Sequence, residues 1–265
     1  MRLGRYVDAL VARGLAVLTY DPRCLGESDG SPRQVIDPGR LVEDALAAVG
    51  HLRARPDVAV VGLLGLSLGG GVAMQAAVED PDVRALAHVV GYTRPALARS
   101  EAATEALAAA ALDDVAAAER GESVVVPICG WPGETAVIAT YDAMYGMALL
   151  DESGEERNEV AARSLLPLST FAPADRASSL RCPVLYYACE NDVVTPYDPT
   201  VPEATASCEV VMYRGSHFDV FHGARGRHAA TTVARFLASS LGAASRLAED
   251  GEFGAGADME LGVTP

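Results

Sequence analysis

The sequence predicts an α/β fold: a three-layer, mostly parallel sheet with a helical cap insertion. Three observations carry that expectation. Short, largely apolar runs recur at 15–20, 58–64, 83–90, 183–188 and 209–213, the pattern of strands buried on both faces. Stretches with apolar residues at helical spacing separate them, and strands alternating with helices imply a parallel sheet covered on both sides. The second run also ends in Gly65-Leu66-Ser67-Leu68-Gly69, a glycine-bracketed serine at the step from strand into helix.

Taken in order, Leu3, Val7, Leu10 and Val11 recur at helical spacing, and Gly14 closes that segment. The run 15–20 (LAVLTY) stops at Asp21-Pro22 and a Gly, Ser and Asp-rich loop at 26–31. Asp37-Pro38 opens a helix with Leu41, Ala45, Leu46, Val49 and Leu52 on one face, halted near Pro56. Strand 58–64 then runs through the serine motif into an Ala-rich helix that ends near Glu79, and 83–90 makes a third strand. Between 93 and 180 the rhythm changes. Leu107, Ala111, Leu112 and Val115 lie on a helix stopped by Gly121, a Pro/Gly segment occupies 127–133, and further helical stretches follow. This reads as a helical cap, 93–180, inserted into a core made of 1–92 and 181–247. The alternation returns with strand 183–188, a helix near 199–206, strand 209–213 and a last helix bearing Val233, Phe236, Leu237 and Leu241. Residues 248–265 hold five acids, four glycines and no base, the composition of a disordered acidic tail.

Composition removes several function classes. With 36 acidic and 21 basic side chains the net charge is −15, so phosphates would be repelled and no nucleic-acid partner is expected. Every base is arginine, which excludes a lysine Schiff base, a pyridoxal phosphate anchor and a Walker-type phosphate loop. The five cysteines (Cys24, Cys129, Cys182, Cys189, Cys208) are odd in number and widely spaced, with no C-x-x-C pair. A reducing, cytoplasmic location is the expectation. No apolar run approaches the roughly 18 residues of a membrane span, and residues 1–13 lack a signal-peptide core, so no membrane association is expected.

The chemistry centres on Ser67. A residue between strand and helix is forced into a sharp turn that holds its side chain out at the helix N-terminus, and glycines on either side leave room for the backbones to cross. An unassisted serine is a poor nucleophile, so a base and an orienting acid are needed. Of five histidines, His51 and His88 precede or crowd the turn, and His222 and His228 belong to the final helix. His217 is left, just past strand 209–213 in Gly215-Ser216-His217-Phe218-Asp219. The acid belongs just beyond the preceding strand, where Asp192 stands at its C-terminal end; Glu190 is the fallback and Asp219 a weaker one. The bland alternatives are a turn-capping Asp192 and a satisfied loop histidine.

The order Ser67, Asp192, His217 is that of the α/β-hydrolase fold. Residues 1 to about 241 resemble the bacterial dienelactone-hydrolase-like and Xaa-Pro-peptidase-like group of α/β hydrolases, related to the fungal polyketide transferases. The resemblance rests on the serine turn, on Tyr20-Asp21-Pro22-Arg23-Cys24-Leu25-Gly26-Glu27-Ser28-Asp29-Gly30, on Arg157-Asn158-Glu159-Val160-Ala161-Ala162-Arg163-Ser164, and on Gly215-Ser216-His217-Phe218-Asp219. It implies a Ser67, Asp192, His217 triad, with the backbone N–H of Leu68 as one oxyanion donor. It also marks Asn158, Glu159 and Arg163 as family-typical cap residues, for which a capping or ion-paired cluster holding the lid is the simplest role.

In that family the first helix follows strands, the last ending in a loop that gives the second oxyanion donor. Met1 already lies within that helix, so an N-terminally truncated chain lacking the N-terminal strands is expected. Loss of one donor costs about 10²- to 10³-fold in rate. The absent strand would lie between 15–20 and 58–64, which must therefore pair directly or flank a slot. The expected function is a serine hydrolase of esters or thioesters acting through an acyl-serine. The alternatives are an acyltransferase of polyketide or secondary metabolism and a catalytically impaired binding protein. The partner is a small-molecule acyl substrate, with a homodimer left open, and the chemistry needs neither metal nor cofactor. Trp131, Tyr141, Met144, Tyr145 and Met147 are candidates for an acyl pocket, with plain cap core as the competing reading.

Overall fold

The computed structural model describes residues 3–96, 100–150 and 157–242. The core begins with helix α1 (Gly4–Val11) and helix α2 (Pro38–Arg53). Asp37 caps α2 by accepting from the N–H groups of Gly39 (2.9 Å) and Arg40 (3.2 Å), with Pro38 at the first helical position. Next come strand β1 (Leu63–Leu66), helix α3 (Leu68–Glu79) and strand β2 (Leu86–Val89). The insertion holds helix α4 (Glu101–Ala118), strands β3 (Val125–Val126), β4 (Cys129–Gly130) and β5 (Ile138–Ala139), helix α5 (Tyr141–Leu150), strand β6 (Val160–Ala161) and helix α6 (Leu165–Leu168). Strand β7 (Val184–Cys189), helix α7 (Thr200–Ala204), strand β8 (Cys208–Tyr213) and helix α8 (Gly223–Ser240) complete the described chain.

The main sheet is parallel throughout, in the order β1-β2-β7-β8. Side chains alternate between its faces as the pleat requires. Ala87, Val89, Leu185 and Tyr187 face α1 and α8, where they meet Tyr6, Leu10, Val233 and Leu237. Leu86, Val184 and Tyr186 face α3 and α7, where they meet Met74, Ala77 and Val201. Helix α2 then covers α3 through Leu41, Val42 and Ala45 against Val72 and Ala76. This is the three-layer arrangement the alternating sequence implies. Ala174 and Ala177 also pack on the α3 face, so the chain rejoins the core at the 3₁₀ turn Pro173–Ser179. No helix among the described residues is long and apolar enough to cross a membrane.

Two expectations need correcting. The run 15–20 is not a strand. Among the described residues no backbone hydrogen bond reaches residues 16–20, and Leu18 and Tyr20 are 39% and 45% exposed. The second run becomes a strand only at Leu63–Leu66, with Val60 exposed. The reason is pairing: an apolar run becomes a strand when a neighbouring edge takes its N–H and C=O groups. These two runs do not pair with each other, and both line one large cavity, a slot along the outer edge of β1. In the insertion, Leu112 and Val115 point outward at 64% and 45% exposure, and the inner face of α4 is Leu107, Ala111, Asp114 and Ala117. The proposed tail, 248–265, lies outside the described residues.

Candidate active site

The geometry starts at the turn between β1 and α3. Ser67 sits at φ 52° and ψ −129°, a conformation that side-chain-bearing residues adopt at a cost of about 1–3 kcal/mol. The surroundings enforce it. The Ser67 N–H donates to the Val89 carbonyl (3.1 Å), and the Ser67 carbonyl accepts from Gly70 (2.8 Å) and Tyr92 (2.9 Å). A Cβ on Gly65 would fall 2.1 Å from the Gly69 carbonyl oxygen, and one on Gly70 would fall 2.6 Å from the Gly91 Cα. A Cβ on Gly69 would meet nothing within 4 Å. The crossing backbones therefore need Gly65 and Gly70, and Gly69 is not the second spacer that the motif suggests.

His217 opens the 3₁₀ turn His217–Phe221 after β8. Ser216 and Asp219 cap that turn reciprocally, the Asp219 carboxylate accepting from the Ser216 N–H (2.8 Å) and pairing with Arg225 (2.9 Å). Burial pushes the Asp219 carboxyl up, but the Ser216 N–H and the Arg225 guanidinium outweigh it and hold the group below the usual carboxylate range. Asp219 is thus engaged in holding the loop, and Glu190 is exposed. Asp192 is the carboxylate that meets the imidazole. Its Oδ1 accepts from the N–H groups of Val194 and Thr195, both at 2.8 Å, and its Oδ2 lies 2.9 Å from His217 Nδ1. His217 Nε2 lies 3.0 Å from Ser67 Oγ. Both partners are enclosed, the His217 and Asp192 side chains being 3% and 1% exposed, so water competes little for these bonds. The Leu68 N–H, at the start of α3, makes no hydrogen bond among the described residues.

Ser67 and Leu68 lie in the wall of a cavity of 1790 Å³ that continues into the slot between 15–20 and β1. The insertion closes it with Leu107, Ile128, Ile138, Met147, Leu150 and Leu165. Of the residues expected to line an acyl pocket, Met147 alone does so. Trp131, Tyr141 and Tyr145 are 40%, 65% and 63% exposed, and Trp131 packs edge-on against both tyrosines, its ring centre 5.9 Å and 5.6 Å from theirs. Met144 packs into the core cluster under the insertion. Helical phase is the reason: α5 buries Ala143 and Gly146 against the core, and a Gly146 Cβ would fall 2.0 Å from the Phe218 ring, so Met147 and Leu150 share the inner face while Tyr141 and Tyr145 face out.

The three family-typical cap residues divide. Arg163 forms a two-pronged pair with the fully buried Asp114 (2.7 and 2.8 Å), which also accepts from the N–H groups of Arg163 and Val124. Asn158 bonds both backbone groups of Cys129 at 2.8 Å. Both therefore brace the insertion. Glu159 pairs with Arg157 (3.1 Å) and lies in the cavity wall. Sequence reading missed Asp114, although Leu107, Ala111 and Asp114 at helical spacing put an acid on an apolar face. It also missed Thr195, whose hydroxyl lies 3.0 Å from both Asp192 Oδ2 and His217 Nδ1. Among the described residues no group of three or more His, Cys, Asp or Glu could hold a metal ion.

A parallel sheet with helices on both faces, and a serine on a strained turn within reach of a histidine, define an α/β hydrolase. The comparisons agree, and the chain belongs to the α/β-hydrolase superfamily. A family model described as serine aminopeptidase, S33, matches residues 1–121. The chain is 32% identical over 232 residues to the quorum-quenching protein AidA of Acinetobacter baumannii, covering 84% of this chain and 76% of that one. It is 33% identical over 177 residues to a thiohydrolase of Arthrinium phaeospermum, covering 62% and 57% of the two chains. In fold it is similar to DcsB, solved in complex with its substrate analogue, with a TM-score of 0.76 at 23% identity over 91% of this chain and 86% of that one.

Proposed function

We propose that this chain is a serine hydrolase of esters or thioesters that works through an acyl-serine on Ser67. The observation that supports this most is the unbroken line from Ser67 Oγ through His217 to Asp192, with steps of 3.0 and 2.9 Å, beside an apolar cavity. In the first half-reaction His217 Nε2 takes the Ser67 hydroxyl proton as Oγ bonds to the acyl carbon. The carbonyl electron pair moves onto oxygen, towards the Leu68 N–H. The oxyanion collapses, the bond to the alcohol or thiol breaks, and that group leaves with the proton from His217. Water repeats the sequence and releases the acid. Asp192 holds the imidazole in the tautomer that presents its Nε2 lone pair to Ser67. The apolar walls supplied by the insertion favour a hydrocarbon acyl group, and the name thiohydrolase among the relatives is compatible with a thioester substrate.

Labelling by a fluorophosphonate probe tests this without knowledge of the substrate. The expected result is one adduct on Ser67, p-nitrophenol release from acyl esters, and loss of both in a folded Ser67→Ala variant. A folded wild-type chain that stays unlabelled defeats the proposal and leaves a binding role. Turnover that requires an alcohol or amine acceptor would reassign the chain as an acyltransferase.

A further inference from the structure

Thr195 takes no part in the steps above, yet its hydroxyl lies between the acid and the base. Its Oγ1 is 2.6 Å from the Val90 carbonyl oxygen, 3.0 Å from Asp192 Oδ2 and 3.0 Å from His217 Nδ1, and the residue is 9% exposed. We infer that Thr195 is a positioning residue for His217, its hydroxyl oxygen sharing the imidazole Nδ1–H with Asp192. This rests on the serine-hydrolase reading of the site.

A threonine hydroxyl has one proton and two lone pairs. The Val90 carbonyl and Asp192 Oδ2 are both acceptors within reach of that single proton, and the Val90 contact is the shorter, 2.6 Å against 3.0 Å, so the hydroxyl proton points there. That orientation leaves the lone pairs of Oγ1 facing the imidazole, where Nδ1 is the donor. Oγ1 and Oδ2 then form a two-acceptor cradle for a single N–H. Val90 is itself held at φ 39°, left-handed backbone that a β-branched residue reaches only at a cost, and its N–H is tied to the Tyr187 carbonyl at 2.7 Å. The acceptor that locks the hydroxyl is thus itself locked. Asp192 alone is fixed through Oδ1 by two backbone donors, but its Oδ2 offers the ring a single point of attachment. A second acceptor from the same loop restricts rotation of the ring and keeps the proton on Nδ1, with the Nε2 lone pair aimed at Ser67.

Thr195→Val deletes the hydroxyl at nearly constant shape, and Thr195→Ser keeps it. In the valine variant kcat and the fluorophosphonate inactivation rate are expected to fall about 10-fold or more, with KM within about twofold, and serine to restore both to within about threefold. Equal impairment by valine and serine, or a wild-type inactivation rate in folded Thr195→Val, overturns the inference. Proton NMR of the imidazole gives a readout free of turnover. The Nδ1–H resonance is expected to move, or its exchange to quicken, in Thr195→Ala and to hold in Thr195→Ser. Spectra of Thr195→Ala that match wild type overturn the inference too. A wild-type chain that resists the probe while its Nδ1–H responds in this way defeats the hydrolase reading and leaves the Thr195 placement standing.

Discussion

A Cβ placed on Gly65 would lie 2.1 Å from the carbonyl oxygen of Gly69, whereas one placed on Gly69 would lie in open space. The two glycines of the motif are therefore unequal. Gly65→Ala must push the turn apart and is expected to cost several kcal/mol or prevent folding, while Gly69→Ala is expected to stay within about 1 kcal/mol of wild type. Thermal melts of the two variants check this; equal destabilisation would contradict the geometry.

Ser67 presents its hydroxyl by means of a conformation that suits glycine. Ser67→Ala keeps that strain and Ser67→Gly relieves it, so the glycine variant is expected to be the more stable of the two by about 1 kcal/mol. Paired denaturant titrations give the difference directly. A glycine variant less stable than the alanine one would mean that the turn holds no strain.

Asp114, fully buried, and Arg163, partly exposed, tie the helical insertion together. Burial raises the Asp114 carboxyl pKa, but the Arg163 side chain and the N–H groups of Arg163 and Val124 outweigh it, and the net direction is down. A depressed folded-state pKa means stability that is complete above the unfolded value of about 4 and is lost as pH falls through the folded one. Asp114→Asn is expected to be less stable at pH 7, by about 3–5 kcal/mol, because a guanidinium loses its partner. It should also lose less further stability than wild type between about pH 5 and 3. Parallel acid-side melting slopes for the two proteins would count against this.

The cavity wall and the outer aromatic group predict opposite responses. Ile138→Trp fills space in the cavity that Ser67 also lines and is expected to raise KM for long acyl esters about 10-fold or more while sparing acetyl esters, whereas Trp131→Ala leaves both within about twofold. Chain-length profiles of the two variants measure it. A collapse of long-chain turnover in Trp131→Ala would place the acyl site elsewhere.

Much of this site was legible in the chain because its parts sit where one-dimensional signals are strong. A serine between a buried strand and a helix, and an acid and a histidine each just past a strand, are positions that periodicity and glycine placement mark. Thr195 carries no such mark. It matters because Val90, 105 positions away, turns a carbonyl towards it. Tyr141 and Tyr145 look like pocket residues by type and prove otherwise by helical phase.

What the sequence determined by itself is local: which runs are apolar enough for the core, where the backbone must turn sharply, and the chain order of serine, acid and histidine. Hydrophobic periodicity and the steric freedom of glycine act over a few residues and can be read in place. Only the tertiary structure decided that 15–20 stays unpaired, that Asp192 rather than Glu190 or Asp219 meets His217, and that Asp114 is the buried partner of Arg163. Strand pairing, ion pairing and enclosure each depend on what a second, distant segment brings within about 3 Å, and no local pattern encodes that distance.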